Sequence, residues 1–185
     1  MPQGLSRDHA MTADLRYPIG RFTYPDRAPH ADVERAIERI ERAPAALRGA
    51  VEGLTPARLD TPYRPGGWSV RQVVHHVPDS HLNAYVRTKL ALTEDDPVIK
   101  PYDEQRWAAL PDSASTPIET SIALLESLHS RWTGLLRACA PSDFERTLRH
   151  PEVGALTLGL LILQYGWHGD HHVAHITSLR EREGW

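Results

Sequence analysis

The sequence predicts an all-α protein, a four-helix bundle running up-down-down-up with a long crossover between helices two and three. Three observations carry this. Four stretches repeat apolar residues at helical spacing, no segment alternates with period two long enough for a convincing strand, and about 22 residues, "EDDPVIKPYDEQRWAALPDSAS", separate the second helical stretch from the third. Antiparallel neighbours in a bundle need only a few linking residues. A helix of about 24 residues is roughly 36 Å long, which about 22 extended residues can span, so the second and third helices are expected to run parallel. The length of 185 residues suits one domain with one sizeable core.

Residues 1–30 carry Pro2, Pro18, Pro25 and Pro29 with weak periodicity and read as an extended arm; residues 31–185 read as the bundle domain. The first helix is expected from Asp32 to Gly53, kinked or split at Pro44. Ser69 stands three residues before Gln72, a capping-box spacing, and opens a second helix that runs to about Thr93 with a kink at Pro78. Thr116 as cap, Pro117 in the first helical position and Glu119 reaching back predict the start of the third helix, which Pro141 ends. The fourth begins near Thr157 and reaches about Glu183, before Gly184. In the crossover, Trp107 and Leu110 are expected to anchor a packed connector, with Tyr102, Asp103 and Glu104 as a less favoured pocket cover.

Composition removes several function classes. A formal charge of −3 with interleaved signs gives no electrostatic footprint for nucleic acid. The single cysteine, Cys139, cannot form an internal disulfide and reads as a small buried helix residue. No apolar signal region is apparent at the N-terminus, and the longest apolar stretch, "LTLGLLILQYGW", is well short of a membrane span. A soluble cytoplasmic protein acting on a small molecule is the default expectation.

The chemistry-bearing segments are "YGWHGDHHVAHI", with His168, His171, His172 and His175, and "VVHHVPDSH", with His75, His76 and His81. With His168 at zero on a helical projection, Leu158, Leu161, Tyr165, Ile176 and Leu179 fall between roughly 20° and 80°. His172 lies near 40°, inside that stripe, and His168 at its edge. These two are therefore expected to project inward at the i, i+4 spacing that lets two imidazoles share one ion. His171 and His175 form a worse-oriented second pair. On the second helix His75 is expected to meet solvent, while helical phase and height leave His76 and His81 unresolved as the third inward ring. His129 reads as structural; His9, His30 and His150 belong to no visible constellation.

The stretches "YRPGGWSVRQVVHHVPDSH", "NAYVRTKLALTEDDPVIKPYDE", "LHSRWTGLL" and "YGWHGDHHVAHI" resemble the YfiT-like branch of the DinB-like superfamily, metal-dependent hydrolases by family description. The resemblance covers nearly all of the chain from "YPIGRF" to "EGW". It implies an up-down-down-up bundle, a homodimer, and one divalent metal, zinc or nickel, held by three histidines. It selects His76, eight residues after Trp68, and the first and fifth positions of "HGDHH", His168 and His172, as ligands.

Three imidazoles leave zinc an open position, the arrangement of catalytic sites, and water there becomes a usable nucleophile near neutral pH. The second ring nitrogens need acceptors, for which Asp79 and the acidic crossover residues are candidates; Asp170 reads as solvated. Three functions suit such a site: hydrolysis of a small-molecule substrate, transfer of a low-molecular-weight thiol of the bacillithiol type, and a non-catalytic metal that stabilises a dimeric bundle.

Overall fold

The computed structural model describes residues 14–185. Residues 1–13 of the expected arm, with His9, lie outside the described residues. The elements follow the order α1 (His30–Val51), α2 (Pro56–Leu59), α3 (Val70–Thr93), α4 (Glu104–Ala108), α5 (Asp112–Ser115), α6 (Ile118–Arg137), β1 (Thr147–His150), β2 (Gly154–Thr157) and α7 (Leu158–Glu183). The four long helices form the bundle. No helix among the described residues is long and apolar enough to cross a membrane.

Side-chain pairs fix the helix directions. Tyr165 of α7 meets Arg87 of α3 while His168 meets His81, so these helices are antiparallel. His75 with Ser121 and Thr88 with Trp132 make α3 and α6 parallel, as the long crossover requires. Gly159 against Val33, Gly166 against Ala36 and Gly169 against Ala43 make α1 and α7 parallel. The bundle therefore runs up-down-down-up.

Local signals set most boundaries. Ser69 and Gln72 form the reciprocal capping box at α3, with Gln72 N–H donating to Ser69 Oγ at 3.2 Å and Ser69 N–H to Gln72 Oε1 at 3.0 Å. Thr157 caps α7, and Gly184 ends it at φ +69°, a left-handed conformation suited to glycine. Thr116 instead closes α5, so α6 starts at Ile118 without a side-chain cap. Neither Pro44 nor Pro78 breaks its helix. At Pro44 the missing N–H instead deprives the Ile40 carbonyl of its intrahelical donor, and that carbonyl accepts from His129.

Three further expectations require correction. A short antiparallel hairpin, β1 with β2, precedes α7; each strand has four residues and buries little beyond Leu148 and Leu156, too few to create a readable alternation. The crossover is tied down at Ile99, which is buried and donates its N–H to the Arg149 carbonyl while the Arg149 N–H donates to the Pro97 carbonyl, whereas Trp107 and Leu110 are 37% and 51% exposed. Cys139 lies just beyond α6, half-buried.

The apolar interior is divided in two. One cluster gathers Val33, Ile37, Trp132, Leu136, Leu158 and Leu161; the other gathers Leu47, Val73, Val77, Leu125, Ile176 and Leu179. Each fully buried aliphatic side chain contributes about 1.5–3 kcal/mol. Between the clusters lies a polar layer to which the bundle helices contribute histidines or, at α1, the open carbonyl of Ile40. The close approach of α1 and α7 depends on glycine: a Cβ on Gly166 would lie 2.9 Å from the Ala36 backbone. Gly166→Ala is expected to lower the melting temperature, because overpacking of about 1–3 kcal/mol outweighs the roughly 1 kcal/mol gain in helix propensity. Gly134→Ala, in open space on α6, is expected to raise it; thermal melts that rank the two variants the other way would refute this packing argument.

Candidate metal centre

The polar layer is built from rings whose positions follow from the antiparallel register of α3 and α7. His76, His168 and His172 each offer a nitrogen, and these atoms lie within 4.8 Å of one another. Ring centroids are 5.4 Å apart for His76 and His168, 4.7 Å for His76 and His172, and 4.5 Å for His168 and His172. His76 and His172 are buried and His168 is partly buried. Trp68, just ahead of α3, lies over His76 at 4.6 Å between centroids, and its indole N–H donates to Gln105 of α4.

His81 does not join this convergence. It stands one ring behind, with Nε2 3.1 Å from His168 Nδ1 and Nδ1 2.9 Å from His129 Nε2. His129 Nδ1 in turn lies 2.6 Å from the Ile40 carbonyl. Burial pushes His129 down to about 4, holds His81 and His168 well below the usual imidazole range, and so keeps all three rings neutral at pH 7. A neutral imidazole has one N–H, and a carbonyl can only accept. His129 must therefore carry its proton on Nδ1, His81 on Nδ1, and His168 on Nδ1. Nε2 of His168 is left with a free lone pair, the state a metal ligand requires. The acceptor behind His168 is thus another imidazole, in place of Asp79 or a crossover carboxylate.

His76, pushed down to about 4, and His172, held well below the ordinary range, are also kept neutral by burial and by the neighbouring rings. His172 Nδ1 is buried without a hydrogen-bond partner among the described residues. Three neutral nitrogen donors converging in this way fit a divalent ion that accepts imidazole.

His171 and His175 are buried on the neighbouring face of α7, against residues of the arm. Tyr17 stacks on His171 at 5.8 Å, and His175 Nε2 donates to the Arg16 carbonyl at 3.0 Å. Their rings lie 4.3 Å apart. His75, expected in solvent, is 5% exposed, with Nδ1 2.7 Å from Ser121 Oγ. The single-stripe projection failed there because α3 packs against α6 on one side and α7 on another. Asp170 pairs with Arg39 of α1 at 2.7 Å instead of standing free in solvent.

The converging rings form part of the wall of a cavity of about 560 Å³. Tyr102, Glu104 and Gln105 also line it, so the crossover supplies a wall of the cavity as well as a connection. Ser80 and Arg87 line it too, and neither stood out in the sequence, because a serine and an arginine at helical spacing carry no motif. Ser80 Oγ is 3.5 Å from His168 Nε2 and 3.4 Å from the Tyr165 hydroxyl.

A four-helix bundle that gathers three neutral imidazoles in the wall of a cavity defines the class. Residues 39–176 match the model of the DinB superfamily, and the chain belongs to that superfamily. A protein of Bacillus mycoides (strain KBAB4) named "Putative metal-dependent hydrolase" is 54% identical over 172 residues, covering 93% of this chain and 99% of its own. A protein of Bacillus cereus (strain ATCC 10987 / NRS 248) with the same name shares the same identity and coverage. Among solved structures, YfiT from Bacillus subtilis, described as "a probable metal-dependent hydrolase with an unusual four-helix bundle topology", matches with a TM-score of 0.89 at 48% identity, covering 92% of this chain and 98% of its own. The four-helix bundle protein TT2238 shares the fold, with a TM-score of 0.51 at 22% identity over 83% of this chain and 99% of its own.

Loss of the support behind a metal-ligating histidine typically weakens metal affinity by about 10–100-fold. His81→Phe is expected to do so here without loss of the fold; unchanged affinity in a metal-competition titration would show that the ring behind His168 does not orient it. Acid should destabilise the metal-free protein. An unfolded histidine binds a proton near 6.5 while folded His129 resists to about 4, so stability is present above 6.5 and lost as the pH falls through that window. Asp79, raised to about 6 chiefly by burial, opposes this as a single group. A melting temperature in chelator that stays flat from pH 6.5 to 4 would contradict the neutral-ring account.

Proposed function

We propose that this protein is a metal-dependent hydrolase of small-molecule substrates, with His76, His168 and His172 as the ligands of one divalent ion. Zinc is the first choice and nickel the alternative. The observation that carries this reading is the convergence of three neutral imidazole nitrogens in the wall of a substrate-sized cavity. Three protein ligands, in contrast to the four of a closed structural zinc site, leave room for a reactant. The names of the relatives at 54% identity support the same reading. When bound, such an ion supplies Lewis acidity toward a substrate oxygen and toward water.

The chain's own residues do the rest. His81 and His129 hold His168 in the tautomer that frees Nε2. Trp68 lies over His76 and limits water access from that side. Ser80 and Tyr165 put two hydroxyls beside the converging rings, placed to orient a polar substrate. His175 donates its Nε2–H to the Arg16 carbonyl, which fixes its tautomer and ties the arm to α7 beside the cavity. The functional unit in this reading is a homodimer, checked by sedimentation for a species of twice the 20.8-kDa chain mass.

Zinc- or nickel-loaded protein is expected to bind one ion per chain and to hydrolyse members of an ester and amide panel, with activity lost in chelator and restored by metal. His76→Ala, His168→Ala and His172→Ala should each abolish stoichiometric binding, whereas His171→Ala should leave it intact. Retained stoichiometry in the first three would reject the ligand set. Consumption of a small thiol in the presence of an electrophile, with no hydrolysed product, would replace hydrolysis by thiol transfer. Metal that raises the melting temperature yet supports neither reaction would leave a structural ion.

A further inference from the structure

Arg87 occupies an unusual position for a cation. It projects from α3 into the same cavity, is 8% exposed, and forms no ion pair among the described residues. Its guanidinium donates to two neutral acceptors: Nη2 to the Lys100 carbonyl at 3.1 Å and Nη1 to the Tyr165 hydroxyl at 3.4 Å. Glu104 and Glu152 also line the cavity, yet neither pairs with it. Withdrawing a guanidinium from water without a counter-charge is costly, and an anion in the cavity would relieve that cost. Five N–H donors in a planar fork remain only partly used, and that fork matches the two oxygens of a carboxylate or the face of a phosphate.

The surroundings complete an anion subsite. The Tyr165 hydroxyl accepts from both Arg87 and Ser80, which leaves its own proton available to the cavity. Arg87 Nη1, the Tyr165 hydroxyl, Ser80 Oγ and His168 Nε2 form a path with successive separations of 3.4, 3.4 and 3.5 Å. The guanidinium and the free nitrogen of His168 therefore lie within roughly 10 Å of each other, the length of that path. A small molecule can touch both.

We infer that the cavity selects anionic substrates, whose carboxylate or phosphate is held by Arg87 and Tyr165 while a group a few bonds away reaches the three-histidine cluster. The inference rests on the proposed hydrolytic function for its purpose. Its test does not. Succinate supplies the carboxylate arm and inorganic phosphate the phosphate arm, each titrated calorimetrically into metal-loaded wild type, Arg87→Met and Arg87→Lys, and into His168→Ala.

Wild type should bind one of the two anions, and the arm that binds identifies the headgroup. Arg87→Met should weaken that binding at least tenfold with metal content unchanged, and Arg87→Lys, which keeps charge but loses the fork, should restore part of it. In His168→Ala the Arg87-dependent binding should persist, which separates anion capture by Arg87 from capture by a metal. If Arg87→Met does not fold, the weakening in Arg87→Lys decides the matter. Failure of both anions to bind, or equal binding in wild type and the Arg87 variants, would overturn the inference while leaving the metal stoichiometry to judge the hydrolytic reading separately.

Discussion

The structure depends on keeping a cluster of imidazoles uncharged inside a helical bundle. Each neutral ring has one proton to place, so a hydrogen bond made at one nitrogen decides the role of the other. The decision starts at Pro44. Lacking an N–H, it leaves the Ile40 carbonyl without its helical donor, and that carbonyl fixes the proton of His129. His129 then fixes His81, and His81 fixes His168. A break in the helical ladder of α1 is thus converted, across α6 and α3, into an unprotonated nitrogen on α7.

The same constraint accounts for the packing. Two apolar clusters close the bundle above and below the polar layer, which opens on one side to the cavity, so the cost of burying polar groups is confined to one level. Trp132 sits at the boundary with its indole N–H on Thr88, so even the largest buried side chain there is satisfied. Gly166 and Gly169 let α1 approach α7 closely, and Gly169 also lies near His81. The contact that brings helices together and the contact that orders the rings are neighbours.

Much of this was legible in the residues and some was not. The capping box at Ser69, the helix start near Thr157, the crossover length and the i, i+4 spacing of His168 and His172 are local properties, and they place α3, α7 and the parallel pair correctly, whereas the cap expected at Thr116 closes α5 instead. Choosing between His76 and His81 required the helix register, which a single-helix projection does not contain: His76 meets the α7 pair, while His81 supports it from behind. His75 was assigned to solvent because only one buried stripe was assumed for a helix that has two neighbours. The β hairpin is too short to show a period. Pro44 was legible as an interruption of the helix but not as the source of an acceptor, since that role depends on His129 arriving from a segment 85 residues further along. Arg87 carries no motif in the sequence, and only the cavity around it gives it a role.

The central claim is the placement of protons on the buried rings, and nitrogen-15 NMR of the imidazoles tests it most directly. In metal-free protein at neutral pH, His129, His81 and His168 should all carry the proton on Nδ1, and added zinc should perturb the Nε2 resonance of His168 while leaving its Nδ1–H in place. A His168 protonated on Nε2, or a zinc-induced signal at its Nδ1, would contradict the account.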